Sequence, residues 1–308
     1  MDKLQTHLDF TFSEKILSVL LFDHTTEKNI IWATDDYSPI QAESQIKIYQ
    51  ITGENSERIR PRVQKQKEEQ INRTRKKAEV FTPAWICNVQ NNLIDDAWFG
   101  RKNVFNIQSG KNWKSTKEKV EFCIDKKNGR TWKDYVNLLR MEIACGEAPY
   151  LVSRYDSVSG KSISLPRRIG FLDRKMRVVC ENVENEEEYF LWTKIAFESC
   201  YGFEFQGDNL LLARMNFLLS FIEYTFFFLK RNPTEKEQKE IAEIISWNLW
   251  QMDGLTFQTP FSSSNDDGQD FLFEEMNSKK SSPCKIMDWK KKKIVLYKSL
   301  FMREVHHE

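Results

Sequence analysis

The stretch Met141-Glu142-Ile143-Ala144-Cys145-Gly146-Glu147-Ala148-Pro149-Tyr150-Leu151 holds residue types that can grip a small polar ligand. An apolar run enters a Cys-Gly turn, and the sequence predicts a helix from Pro149. Such a strand–turn–helix junction offers backbone N–H groups at a helix start, which suits a nucleotide-like ligand. Further on, Tyr201-Gly202-Phe203-Glu204 ends in an acid at the close of an expected strand. A ribose diol carries two hydroxyl donors, and one carboxylate at a strand end can accept both. Plainer readings stand beside these. Glu142 could pair locally, Glu204 could be an ordinary strand-end acid, and Asp253 before Gly254 is a common turn sequence. Phe81 and Pro83 could simply begin a helix.

These residues need elements to position them. In the first unit, residues 1–56, Ile16, Leu17, Leu20 and Leu21 fall at helical spacing after Ser13, a candidate N-cap. Residues 29–33 and 45–51 look like short strands around a polar loop. Residues 57–79 are charge-dense, with nine Lys/Arg against two Glu between positions 58 and 77. They read as a basic linker or an exposed helix. Their charges could contact DNA phosphate, each neutralised phosphate adding salt-dependent affinity, or could simply be solvated. An amphipathic helix follows through Trp85, Ile86, Val89 and Leu93, with Thr82 as its N-cap and Pro83 at its first position. Residues 100–130 read as polar and irregular, and 132–139 as a helical approach to the glycine turn. Helices are expected over 186–199, 208–229 and 234–245, with Asp208 capping the second. Strands are expected over 201–205, 247–252 and 294–297. The Ser-, Asn- and Asp-rich run 258–285 reads as mobile. Trp85, Trp192 and Trp250 read as core residues.

Composition narrows the class. The chain has 308 residues, 40% of them hydrophobic, with 9 Trp and 22 Phe, enough for a large aromatic core. Its net charge is +1, so no global field draws it onto nucleic acid. DNA contact would fall on local basic groups: Arg73, Arg75, Lys76 and Lys77 in the linker, and Arg167, Arg168, Arg174 and Lys175 beyond the glycine turn. The six cysteines form no CxxC pair, so no metal site is expected and they read as reduced. The apolar run 215–229 is broken by Asn216 and Glu223 and reads as a buried helix, not a membrane span. A cytoplasmic protein without a membrane segment is the expectation.

Four segments together resemble the S-adenosylmethionine-dependent DNA adenine N6-methyltransferases of restriction–modification systems, in the gamma-type motif order. Glu79-Val80-Phe81-Thr82-Pro83 is similar to the family's upstream motif. The opening stretch resembles its acidic-x-Ala-Cys-Gly-x-Gly-x-Phe/Tyr-Leu loop. Tyr201-Gly202-Phe203-Glu204, with Leu210-Leu211-Leu212-Ala213-Arg214, resembles its second strand and following helix. Gln251-Met252-Asp253-Gly254-Leu255 resembles its third-strand motif. The four span somewhat over half the chain. The resemblance implies an α/β Rossmann-like methyltransferase fold over residues 80–308, beside a small N-terminal α+β unit. It implies an S-adenosyl-L-methionine pocket in which Phe81, Thr82 and Pro83 close the methionine end. Glu142, Ala144, Cys145 and Gly146 form the turn, Glu204 binds the ribose, and Asp253 accepts from the adenine amino group. DNA and a restriction or specificity subunit are the implied partners.

The chain departs from that pattern twice. The family's second glycine is Ala148 here, which costs about 1 kcal/mol if the position is left-handed. The Asp/Asn-Pro-Pro-Tyr/Phe motif is missing, for the sequence contains no Pro-Pro. That motif supplies acceptors for the protons of the exocyclic amine and an aromatic that stacks on the flipped base. Asp288-Trp289 is the nearest substitute, an acid followed by an aromatic. Fewer strands can be counted than such a sheet holds, so either the N-terminal unit or a partner completes it or the fold is an incomplete relative of that class. Three readings follow: an active methyltransferase or modification subunit, a catalytically inactive methyltransferase-like subunit that binds cofactor, DNA or a protein, and a remnant that binds none of them.

Overall fold

A computed structural model describes residues 12–77, 79–122, 129–262 and 282–301. Most of the polar run 258–285 lies outside the described residues. The fold is α/β, built on a small parallel sheet. Helix α1 (Glu14–Leu21) begins where Ser13 Oγ accepts from the Ile16 N–H, and it buries Ile16, Leu17, Leu20 and Leu21. Strands β1 (Phe22–Asp23) and β2 (Lys28–Asn29) form a short antiparallel pair. The two strands expected over 29–33 and 45–51 reduce to a single bridge between Ile31 and Gln45. Residues 48–50 wind into a 3-10 turn instead, because the Gln50 side chain accepts from the Lys47 N–H and closes it.

The basic segment forms α2 (Lys67–Lys77), and α3 (Ala84–Phe99) follows. Pro83, and not Thr82, occupies the N-cap of α3, so the helix starts one residue later than the sequence suggests. The cap is supplied from a distance, by Asp156 Oδ2 accepting from the Ala84 N–H at 2.6 Å. The inward face of α3 is also not the apolar one. Asn88, Asn91 and Asp95 are buried, while Leu93 is 65% exposed. The polar face turns inward because it holds a fixed hydrogen-bond network. Arg174 Nη1 donates to Asp95 at 2.7 Å, Tyr135 donates to the same carboxylate, and Asn88 exchanges amide bonds with Asn106. The stretch 100–130, expected to be irregular, contains a hairpin of β3 (Asn106–Ser109) and β4 (Asn112–Ser115).

After α4 (Trp132–Val136) the central sheet begins with β5 (Arg140–Glu142). Helices α5 (Phe171–Asn182) and α6 (Glu186–Glu198) lead to β6 (Cys200–Glu204). Helices α7 (Gly207–Leu229) and α8 (Glu235–Asn248) lead to β7 (Leu249–Gln251). All three strands are parallel, with β6 in the middle. Helix α7 is long and apolar enough to cross a membrane, but nearly all of it is buried inside the fold.

Side chains alternate across the sheet. Cys200 and Leu249 join the helical core, where Leu210, Phe217 and Ile245 pack. Phe203 and Trp250 face the other way, onto β8 (Lys285–Asp288) and β9 (Lys293–Leu296). Those two strands pair with each other as an antiparallel hairpin, so β9 covers the sheet and does not extend it. The N-terminal residues share the helical core, since Leu20, Trp32 and Ile46 pack within it. They also close the β7 side of the sheet without adding a strand there. The Gln251 amide accepts from the Ile31 N–H and donates to the Ile31 carbonyl, both at 2.9 Å.

Candidate functional site around the Cys145-Gly146 turn

Residues 143–151 leave β5 as a chain of turns, and the expected helix from Pro149 does not form. Ala144, Gly146 and Ala148 have φ of 47°, 54° and 61°, so left-handed residues alternate through the loop and no helical run can start. The loop N–H groups turn onto carboxylates instead. Glu142, on the last residue of β5, accepts from the Leu151 N–H at 3.2 Å and the Tyr150 N–H at 3.4 Å. Glu204, on the last residue of β6, accepts from the Gly146 N–H at 2.8 Å and the Gln206 N–H at 3.1 Å. Register pairs Glu142 with Gly202, so the two acids project from neighbouring strands at the C-terminal end of the sheet. Ligands bind at that end in open parallel sheets.

Phe81, expected here from its motif, stands at the turn. A Cβ on Gly146 would stand 3.4 Å from the Phe81 ring, so both the left-handed φ and the close ring favour glycine. Thr82 is held by its carbonyl, which accepts from Ser157 Oγ at 2.9 Å. Cys145 is buried beneath the turn, and that burial pushes its thiol well above its ordinary range, which makes it inert as a nucleophile. Ala148 sits in the left-handed region, the costlier of its two cases.

Three buried carboxylates surround the turn: Glu142, Glu147 and Glu204. Glu147 escaped the sequence reading. It accepts from the Arg62 N–H at 2.7 Å and from the Tyr155 hydroxyl. Burial pushes Glu147 and Glu204 each up to about 7, against the pull of their hydrogen-bond donors, and pushes Glu142 well above the usual carboxylate range. Such acids favour a ligand that brings hydroxyl or cationic donors. Asp253 follows β7 at the same end. Its Oδ1 accepts from the Leu255 N–H at 2.8 Å, making a local turn and leaving Oδ2 to accept from another group.

The basic segment is not a free phosphate-binding stripe. Arg73 is fully buried and donates to Glu79 and Asp36 at 2.7 Å and to Gln206 at 2.5 Å. Lys65 and Arg73 both pair at 2.9 Å with Asp208, which these cations hold well below the usual carboxylate range despite its burial. Asp208 therefore anchors α2 in the first turn of α7 and does not cap the helix; Gln206 occupies the cap position. Lys77 is spent on Asp35 and Asp36. Arg174 is buried in the α3 network, and Lys175 is buried against the Leu138 and Ser199 carbonyls. Arg168 pairs with Glu223 at 2.5 Å with its side chain 6% exposed. These donors already have protein partners, which removes Arg73, Arg174 and Lys175 from the expected DNA surface. Arg75, Lys76 and Arg167 remain exposed.

Asp288 and Trp289 lie at the wrong end of the sheet for the chemistry expected of them. Trp289 Nε1 donates to Asn248 Oδ1 at 2.6 Å, and Asn248 immediately precedes β7. The Tyr201 hydroxyl, near the start of β6, donates to the Met287 carbonyl at 3.0 Å. The hairpin turn thus sits by the strand starts, while Glu142, Glu204 and Asp253 sit at the strand ends. Asp288 is occupied locally, accepting from the Lys291 N–H, whose donation helps hold its carboxyl below the usual range. The chain matches no protein-family model, and no curated protein or solved structure proves similar to it.

Proposed function

We propose that the C-terminal end of β5 and β6 binds S-adenosyl-L-methionine, and that the chain is a modification subunit for DNA adenine N6-methylation in a restriction–modification system. The observation that carries this reading is the pairing of two buried acids, Glu142 and Glu204, on adjacent parallel strands around a turn whose glycine meets the Phe81 ring. The residues present suit the cofactor. Glu204 keeps lone pairs for a ribose diol beside the Gly146 and Gln206 bonds. Asp253 Oδ2 suits an adenine amino group. One buried acceptor in the adjoining network, Asn209 Oδ1, has no hydrogen-bond partner among the described residues, while Glu79 Oε1 beside it faces Arg62 Nε at 3.7 Å. A ligand ammonium group is the kind of donor such an atom requires. The bound cofactor would supply an electrophilic methyl group. The chain's own residues would orient it and exclude water: Phe81 and Pro83 as walls, and Glu142 as the clamp on the loop.

A second reading, a subunit that binds cofactor without transferring methyl by itself, is favoured by the location of Asp288-Trp289. Calorimetric titration with S-adenosylmethionine tests the shared part, and methyl incorporation into mixed-sequence DNA separates the two. No heat of binding sinks both. Binding with no incorporation, alone or with added subunits, sinks the enzyme reading alone.

A further inference from the structure

Pro83 opens helix α3. It borders an open groove of about 610 Å³ that also takes in Trp85, Lys111, Trp113, Lys161 and Arg167. Trp85, which its sequence context places in the core, is therefore only partly buried and lies on a groove wall. Three segments build the groove. Helix α3 supplies Trp85, its second residue, two positions after Pro83. The β3–β4 hairpin supplies Lys111 from its two-residue tip and Trp113 from β4, and Trp113 Nε1 is anchored on the Arg167 carbonyl at 2.8 Å. The loop around Asp156 supplies Lys161 and is fixed to the proposed cofactor wall by the bonds from Ala84 N–H to Asp156 and from Ser157 Oγ to the Thr82 carbonyl.

Aromatic and cationic groups are interleaved here. Lys111 Nζ stands 5.9 Å from the Trp85 ring centre, and the Arg167 guanidinium stands 5.4 Å from that of Trp113. The basic lining is Lys111, Lys161 and Arg167, and the acidic lining is Asp156 alone. The charge of Asp156 is already directed onto the backbone N–H groups of Ala84, Val158 and Ser159. Lys111 and Lys161 are exposed and have no ion-pair partner among the described residues. Indole faces beside free cations match a ligand that joins a flat base to a phosphate. Bases stacked inside a duplex cannot reach a recessed indole, so the base must be unpaired or turned out.

We infer that this groove binds single-stranded or extruded DNA, with bases stacking on Trp85 and Trp113 and phosphates on Lys111 and Lys161. The inference rests on the proposed function only for the choice of DNA as the nucleic acid. The groove accounts for base stacking that the basic α2 segment, lacking aromatics, does not offer.

The test is fluorescence anisotropy of a short dye-labelled single-stranded oligodeoxynucleotide, titrated with the full chain at several salt concentrations. The double variant Lys111→Ala/Lys161→Ala changes only exposed side chains. It is expected to lower the slope of log affinity against log salt by about 1.4, at about 0.7 per single-strand phosphate contact. Trp85→Ala is expected to weaken binding roughly tenfold to a hundredfold, and Trp85→Phe to retain most of it. An unchanged slope in the lysine variant overturns the inference. So does a duplex of the same sequence binding as tightly as the single strand, or polyglutamate competing as well as the oligonucleotide. The heat of S-adenosylmethionine binding, measured on the lysine variant, separates the two proposals. Normal heat with lost oligonucleotide affinity supports the groove. Absent heat in the unaltered chain sinks the cofactor reading and leaves the oligonucleotide result standing.

Discussion

Replacing Glu204 with Gln should affect stability and ligand binding in opposite directions. Burial holds the Glu204 carboxyl near 7, against an ordinary value of 4.5. Between those two pH values the folded chain binds a proton that the unfolded chain has released. The protonated group's contribution is fully present below pH 4.5 and is lost as pH rises through 7. Once ionised in place, the carboxylate costs about 3 kcal/mol relative to solvent. Gln carries no charge, so Glu204→Gln avoids that cost at pH 8. It keeps only one acceptor oxygen for the two N–H groups of Gly146 and Gln206, which costs about 1 kcal/mol. The variant should therefore be about 2 kcal/mol more stable than the parent at pH 8 and about 1 kcal/mol less stable at pH 3.5, below the ordinary value. Urea unfolding of the ligand-free chain at both pH values measures this. Calorimetry at pH 8 should show the more stable variant binding S-adenosylmethionine at least tenfold more weakly, because one ribose acceptor is gone. A variant destabilised equally at both pH values would refute the titration, and one that binds the cofactor as well as the parent would refute the ribose role.

Arg73→Met should cost about 3 kcal/mol, because it removes the buried cation shared by Glu79, Asp36 and Asp208 and leaves Lys65 alone against Asp208; urea unfolding at pH 7 reads it. The face of α3 is testable in two directions. Leu93→Lys should stay within about 0.5 kcal/mol of the parent, while Asn88→Ala, which strands Arg174 and Asn106, should cost about 1–3 kcal/mol. Burial lowers the Lys175 ammonium to about 8 from 10.5. The folded chain thus sheds this proton first, and its contribution to stability should rise between pH 8 and 10.5. Lys175→Met should flatten that segment of the stability–pH curve.

The helices around the sheet were legible because their signals are local. Helix α7 carries a long apolar run and α8 opens with Thr234 and Glu237, a capping box seen in the structure. The strands that carry Glu142 and Glu204 were legible as apolar runs ending in an acid. What escaped was set by distant partners. An Asn-rich helix face reads as solvent-exposed until Arg174, from another helix, turns it inward. A run of arginines and lysines reads as a solvated linker or a DNA stripe until Asp208 and Glu79, far off in sequence or beyond the helix, take up Arg73. The helix after Pro149 follows from local propensity, but Glu142 draws the Tyr150 and Leu151 N–H groups onto itself and the chain leaves in turns. In each case a buried polar group that had to be satisfied outweighed a local pattern worth a few tenths of a kcal/mol per residue.

The same competition bears on catalysis. Transferring a methyl group to an exocyclic amine needs acceptors for its protons at the cofactor's methyl, hence at the strand ends. Under the proposed function the acids there are committed to holding the loop and the cofactor: Glu142 clamps the loop, and Glu204 and Asp253, beside their bonds to Gly146, Gln206 and Leu255, would take the ribose and the adenine amino group. Asp288, the acid followed by an aromatic, is held by the strand starts through the bonds of Trp289 to Asn248 and Met287 to Tyr201. Bringing it across would require β8 to leave the pocket formed by Phe203, Trp250 and Tyr297, exposing a buried aromatic cluster. Under the proposed function, that cost sets ligand binding and methyl transfer apart: binding would use the turn and its acids, whereas transfer would require a proton acceptor delivered to the strand ends by something other than the β8–β9 hairpin.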